Sequence, residues 1–205
     1  MRALKLITLS GLLFCAALTG YVAWYVRQAP DLGRLTDVSQ VIRAQDGTII
    51  NLRLTKDGYW RERANLETID QKLVNVLIAY EDQRFWDHKG VDPKAVIRAS
   101  YDFVKSGRIV SGASTLTMQV AKLMDPSLKR RHPIVKIKQM LAALRLEYHW
   151  SKEEILEAYF TLAPYGGNIE GIHAATESWF QKTPERLTLN EAALLVALPQ
   201  SPESR

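Results

Sequence analysis

Glu81-Asp82-Gln83-Arg84-Phe85-Trp86-Asp87-His88-Lys89-Gly90-Val91-Asp92 is the stretch from which the chain is best read. The pair Glu81-Asp82 closes an apolar run that contains Leu73, Val76, Leu77 and Ala79. A helix C-terminus carries partial negative charge and favours basic residues, so two carboxylates there work against stability. Beside Phe85 and Trp86 they also meet apolar surroundings, which raise a carboxyl pKa. A general base or acid needs that environment. The plain alternative is a solvated acidic helix end, and only the rest of the chain decides between the two.

Working outward, most signals are helical from Asp70 onward. Asp92-Pro93 is an N-cap followed by proline at the first helical position, with Ala95, Val96, Ala99 and Phe103 on one face. His132-Pro133 opens another helix, for which Ile134, Ile137, Met140, Leu141 and Leu144 are the expected core stripe. Ser151-Lys152-Glu153-Glu154 and Thr188-Leu189-Asn190-Glu191 read as capping boxes, and Pro199 and Pro202 stop the last helix. Toward the N-terminus, residues 41–50 predict a hairpin turning at Asp46-Gly47, with Tyr59-Trp60-Arg61 extending its sheet. The expected fold is mainly α with a small β element. No repeat or low-complexity segment interrupts it.

The chain has 205 residues, 47% hydrophobic and 24% charged, which is ordinary for one globular domain with or without a membrane segment. Its net charge of +5 is concentrated between Lys122 and Arg145. Leu6 to Val26 carries no charge and would span roughly 31 Å as a helix, about the thickness of a bilayer core. Arg2 and Lys5 precede it, and Tyr21, Trp24 and Tyr25 gather at its far end like an interfacial aromatic belt. Residues 1–27 therefore read as a single-pass anchor with the N-terminus in the cytoplasm, 28–40 as a juxtamembrane linker, and 41–205 as the exported domain. A cleaved signal peptide is the alternative, although its apolar region is usually shorter. Cys15 is the only cysteine, so no intrachain disulfide forms.

Four further segments follow in order: Gly112-Ala113-Ser114-Thr115-Leu116-Thr117-Met118-Gln119, then Lys136-Ile137-Lys138-Gln139. Ile155-Leu156-Glu157-Ala158-Tyr159-Phe160 leads into residues 166–172, and Glu191 to Pro202 closes the series. With the opening stretch they resemble the glycosyltransferase domain of class A penicillin-binding proteins and monofunctional peptidoglycan glycosyltransferases, family 51. Residues 44–48 and 117–121 resemble the 1C-type branch most. The resemblance covers about Val41 to Pro202.

It implies a lysozyme-like glycosyltransferase domain with a small β/jaw element behind one transmembrane helix. It also implies polymerisation of lipid II into glycan strands, with release of undecaprenyl pyrophosphate, on the outer face of the bacterial cytoplasmic membrane. The implied partners are lipid II, the growing strand, the membrane and other cell-wall synthesis proteins, with no nucleic acid. Peptide crosslinking is not implied. No serine is followed three residues later by lysine, and Lys182-Thr183 continues with Pro184 rather than glycine. The chain ends where such a domain normally stops, which leaves a longer bifunctional parent open.

By the same resemblance, Glu81 is the base that deprotonates the acceptor hydroxyl, while Asp82, Phe85 and His88 shape and polarise the substrate site around it. Pyrophosphate leaves as an anion and needs cations and donors more than a proton. Ser114, Thr115, Thr117 and Gln119 are the expected donors, with Ser114 also a helix cap, and Lys122, Lys136 and Lys138 the expected cations. Lys129-Arg130-Arg131 fits a loop near lipid headgroups. Gln200 meets the sugar or ends the core. Gln139 stands where the family usually has a second glutamate, and Thr161 where asparagine is usual. An amide donates to phosphate but holds a divalent ion poorly. No metal is required on this reading, although Mg²⁺ or another divalent cation is permitted, and no ligand spacing makes His88 a metal site. Two rival readings stay open: a catalytically weakened lipid II-binding scaffold, and a lysozyme-like glycan-cleaving enzyme.

Overall fold

A computed structural model describes residues 2–106, 114–130 and 132–200, with the side chains of residues 2–8 and Phe103 excepted. Gly112, Ala113, Arg131, Ser201 and Pro202, all named above, lie outside the described residues. Helix α1 (Arg2–Arg27) is followed by α2 (Gly33–Thr36), β1 (Gln40–Arg43), β2 (Ile49–Arg53) and β3 (Trp60–Arg61). Then come α3 (Gln71–Glu81), α4 (Pro93–Ser106), α5 (Leu116–Met124), α6 (Pro133–His149) and α7 (Lys152–Leu162). Strand β4 (Ile169–Glu170), α8 (Ile172–Phe180) and α9 (Leu189–Ala197) complete the order. Short 3-10 turns lie at Leu66–Thr68, Pro126–Lys129 and Leu198–Gln200.

The helix starts form where side chains satisfy otherwise unpaired N–H groups. Asp70 accepts from Lys72 N at the head of α3, and Asp92 from Lys94 N and Ala95 N at the head of α4. His132 Nδ1 accepts from Ile134 N ahead of α6. Both predicted capping boxes, Ser151/Glu154 and Thr188/Glu191, are formed. In α5 the cap is Thr115, not Ser114: its Oγ1 accepts from Met118 N.

The hairpin β1–β2 turns at Asp46-Gly47 as predicted, with Gly47 at φ +88° and Thr48 N bonded to Asp46 Oδ1 at 2.9 Å. Strand β3 does not extend that sheet. It pairs in parallel with β4, Trp60 opposite Ile169 and Arg61 opposite Glu170. The reason is ionic. Arg61, fully buried, donates through Nε and Nη2 to the Glu170 carboxylate and through Nη1 to the carbonyls of Arg34 and Asp37, both at 2.8 Å. Arg34 adds a second pair to Glu170 at 2.8 Å. Removing one partner of such a buried group typically costs about 3–5 kcal/mol. The segment expected as a linker is thus a folded strap: it carries α2, buries Leu35, and is tied into the domain by this knot.

The main core is shared by α3, α5, α7, α8 and α9. Leu73 and Leu77, Leu116 and Val120, Ile155 and Phe160, Ile172 and Leu195 are all at most 1% exposed within one cluster. Helix α3 lies along α9, and α5 lies between α6 and α7. The stripe predicted for α6 is rotated from the observed one. Ile134 and Ile137 are exposed at 58% each, Met140, Leu141 and Leu144 are half-buried, and the buried positions are Gln139, Ala143 and Leu146. Helix α6 has neighbours on two sides, α5 and α1, so one apolar face does not describe it.

Helix α1 holds one segment, Leu9–Arg27, long and apolar enough to cross a membrane; none of its residues is fully buried, and Val22, Ala23, Tyr25 and Val26 near its end are half-buried. Tyr21 stacks on Tyr25 with ring centroids 6.4 Å apart. Arg145 of α6 lies over the Tyr25 ring at 5.2 Å and donates to the carbonyls of Gln28 and Ala29, so the helix exit is held to the domain.

Candidate active site

Glu81 is the last residue of α3, half-buried, with each carboxylate oxygen taken by an amide from a different part of the chain. Gln119 Nε2 of α5 donates to Oε2 at 2.8 Å, and Gln200 Nε2 donates to Oε1. Burial pushes the Glu81 carboxyl above its usual range, and Asp82 adds to that. The Gln119 hydrogen bond and the nearby Lys122 ammonium pull the other way without cancelling it. Lys122 and Lys136 are both half-buried, and burial lowers both ammonium pKa values. Lys122 feels both Glu81 and Lys129, and Lys136 feels Lys122. One carboxylate therefore stands beside a group of three lysines. A base can work at Glu81 while an anion rests on the cations.

The residues after Glu81 build the wall behind it. Phe85 is 0% exposed and packs in the core, so it shapes the site without facing it. The buried Asp82 carboxylate accepts from Leu116 N at 2.9 Å and lies 3.0 Å from His88 Nε2. With Nε2 turned to Asp82, His88 leaves Nδ1 buried and without a partner among the described residues. Gly90 has φ +84°, and a Cβ there would come 2.6 Å from the Ala143 carbonyl oxygen, so only glycine lets the loop reach α6. Thr115 Oγ1 closes the loop with a 2.6 Å bond to Gly90 O.

The structure separates the expected donors into two sets. Thr115 and Thr117 face inward: Thr115 caps α5, and Thr117 Oγ1 donates to Glu147 at 2.7 Å. Ser114 remains on the cleft side, with Lys136 Nζ 2.5 Å from its Oγ. Gln139 is buried and donates to the Leu128 carbonyl at 2.6 Å, bracing the turn Pro126–Lys129 that carries Lys129. Lys138, two positions beyond Lys136, lies about 200° around the helix. It lines a separate cavity of about 580 Å³ with Tyr21, Tyr25, Asp31, Asp125 and Arg145. Glu81, Gln119, Gln200, Ser114, Lys122 and Lys136 are thus the predicted residues left at the cleft.

Three residues in this framework have no role assigned by the sequence reading. Glu147 joins Thr117 to Lys152 (Nζ–Oε1 2.6 Å), and the Lys152 ammonium sits 4.3 Å from the centre of the Phe85 ring. Tyr159 is 2% exposed, and its hydroxyl has no partner among the described residues. Burial, with Tyr165 and Glu81 nearby, pushes its phenol pKa well up. No motif marks any of them: Thr117 lies 30 residues from Glu147, and the Tyr159 hydroxyl has no partner among the described residues to point to it. Glu157 Oε1 accepts from Leu66 N at 3.1 Å. Among the described residues no group of three or more His, Cys, Asp or Glu side chains is placed to hold a metal ion.

Comparison with known proteins places the chain in a family. The family described as Transglycosylase matches residues 46–205. Penicillin-binding protein 1C of Escherichia coli K12 is 46% identical over 167 residues, covering 80% of this chain and 21% of that protein. Penicillin-binding protein 1A of the same organism is 36% identical over 202 residues, 94% of this chain and 23% of its own length. That of Aquifex aeolicus is 38% identical over 142 residues, 67% of this chain and 19% of its own. The chain spans about a fifth of the length of these relatives. With the match running from the hairpin turn through α9, the chain belongs to the transglycosylase family, a mainly helical domain of the lysozyme-like class.

Proposed function

We propose that this chain is a peptidoglycan glycosyltransferase that polymerises lipid II. The observation that carries the reading is Glu81, a carboxylate held above its usual pKa, beside Lys122 with Lys136 and Lys129 next to it. Glu81 takes the proton from the 4-hydroxyl of the acceptor GlcNAc. The freed oxygen attacks C1 of the donor MurNAc, and the C1–O bond to the lipid pyrophosphate breaks. Attack from the opposite face inverts α to β, and the electron pair departs on pyrophosphate, where the lysines stabilise it. Glu81 then returns its proton to solvent.

A glycan-cleaving enzyme would also use a carboxyl with a raised pKa, but it forms no pyrophosphate anion for three lysines to meet. Helix α1 is proposed as a single-pass anchor in the cytoplasmic membrane, N-terminus inside and domain outside, which brings the cleft to lipid-borne substrate.

The test is incubation of the full chain in detergent with labelled lipid II and, separately, with preformed glycan. Polymer from the first and no fragments from the second are expected. Glu81→Gln should lower turnover at least about 10²-fold, the low end for loss of a general base. Undiminished polymerisation by that variant would refute the assignment of the base.

A further inference from the structure

Glu81 and Gln200 are 119 residues apart, yet the Gln200 amide rests on Oε1 of the carboxylate. The fold brings them together deliberately. Helix α3 packs along α9, the buried Leu198 fastens the turn that follows α9, and Gln200 extends from that turn over the end of α3. Its counterpart Gln119 reaches Oε2 from α5 on the half-buried side, whereas Gln200 is exposed. A carboxylate oxygen offers two lone pairs, so each still has one free after its amide is in place. Oε1 thus carries its amide from the exposed side.

We propose that Gln200 is a positioning residue for Glu81. With Gln119 it grips the carboxylate, one amide on each oxygen, fixing its plane and setting how strongly it draws a proton from the acceptor. This rests on the reading of Glu81 as the base. The charged and titratable groups facing Glu81 are Asp82 at the same helix end, Lys122 on α5 and the Tyr159 phenol on α7. Asp82 and Tyr159 are buried, and Lys122 is half-buried. Gln200 is the contact that sits at the open side, where substrate enters. An amide donor stabilises the ionised carboxylate, so it opposes the effect of burial. Without it, Glu81 is ionised only at higher pH and is held by Gln119 alone.

The experiment is a carbon-13 titration of the Glu81 side-chain carboxyl in the full chain in micelles, assigned with Glu81→Gln, alongside the pH profile of lipid II polymerisation. In Gln200→Ala the Glu81 midpoint should rise by about one pH unit, and the acidic limb of the rate profile should rise with it. Gln200→Glu should move both further, because two carboxylates then share one site. Gln200→Asn, one methylene short, should behave like the alanine variant. A midpoint unmoved in Gln200→Ala overturns the proposal, and so does a fall in melting temperature and rate with no change in midpoint. If the midpoint moves but the rate profile does not, the clamp stands and Glu81 is not the base. If wild-type protein polymerises lipid II with its midpoint indifferent to residue 200, the base stands and the clamp falls.

Discussion

Replacing Gln139 with glutamate restores the residue usual in the family, and from sequence alone the change looks mild. The structure predicts damage. Gln139 is 7% exposed, and its amide nitrogen donates to the Leu128 carbonyl at 2.6 Å. Gln139→Glu removes that bond, worth about 1 kcal/mol net, and places a carboxylate oxygen against a buried carbonyl, worth roughly another 1–3 kcal/mol. For a chain of this length each kcal/mol moves the melting temperature by about 2–4 °C. The expected loss is therefore roughly 4–16 °C at pH 8. The sign with pH follows from burial. The new carboxyl would titrate above its ordinary value in the folded state, so the folded form is favoured at low pH and loses ground as pH rises through that value. Protonated, it can also donate to Leu128 O as the amide does. Melting curves of wild type and Gln139→Glu at pH 5 and pH 8 should converge at the lower pH. Equal stability at pH 8, or a gap that widens at pH 5, would refute the reasoning. Rescue at pH 8 by millimolar Mg²⁺ would show instead that position 139 reaches a bound cation.

Two other changes test the site from different sides. Lys136→Ala removes a half-buried charge that shares Ser114 with the cleft, and loss of a group stabilising developing charge costs about 3 kcal/mol or more. Polymerisation should fall at least about 10²-fold, and a near-normal rate would remove Lys136 from the leaving-group side. Tyr159→Phe deletes a buried hydroxyl that has no partner among the described residues, so the melting temperature should rise by roughly 2–4 °C with the rate little changed. A collapse in rate with stability intact would place the phenol in the chemistry.

Features encoded within three or four residues were legible in the sequence. Asp92-Pro93, His132-Pro133 and the two capping boxes each begin a helix where expected, because a cap and its N–H partners are local. The Asp46-Gly47 turn is local too. The partner of strand β3 was not legible, since it is set by Arg61 finding Glu170, 109 residues away. The α6 stripe failed for a related reason. Apolar spacing says that a face is buried, but α6 lies between α1 and α5, and a polar residue, Gln139, takes one of the buried positions to hold a carbonyl.

The same distinction explains the site. Its motifs were legible as a set, whereas the facing of each residue was not, because residues two apart on a helix point about 200° from one another. Thr117 and Gln119 are two apart in the motif, and one turns to buried Glu147 while the other turns to Glu81. Lys136 and Lys138 divide in the same way between the cleft and the cavity beside α1. A short run of polar residues thus serves two masters, and the inward half gives the outward half its geometry. Thr117, Glu147 and Lys152 lock α5, α6 and the Phe85 ring together, Asp82 ties the end of α3 to the start of α5, and Gln119 then meets Glu81 without adjustment. Substitutions at the inward residues should therefore affect stability and activity together, while those at Gln119, Gln200, Lys122 and Lys136 should affect activity far more than stability. That difference separates the framework from the groups that meet substrate.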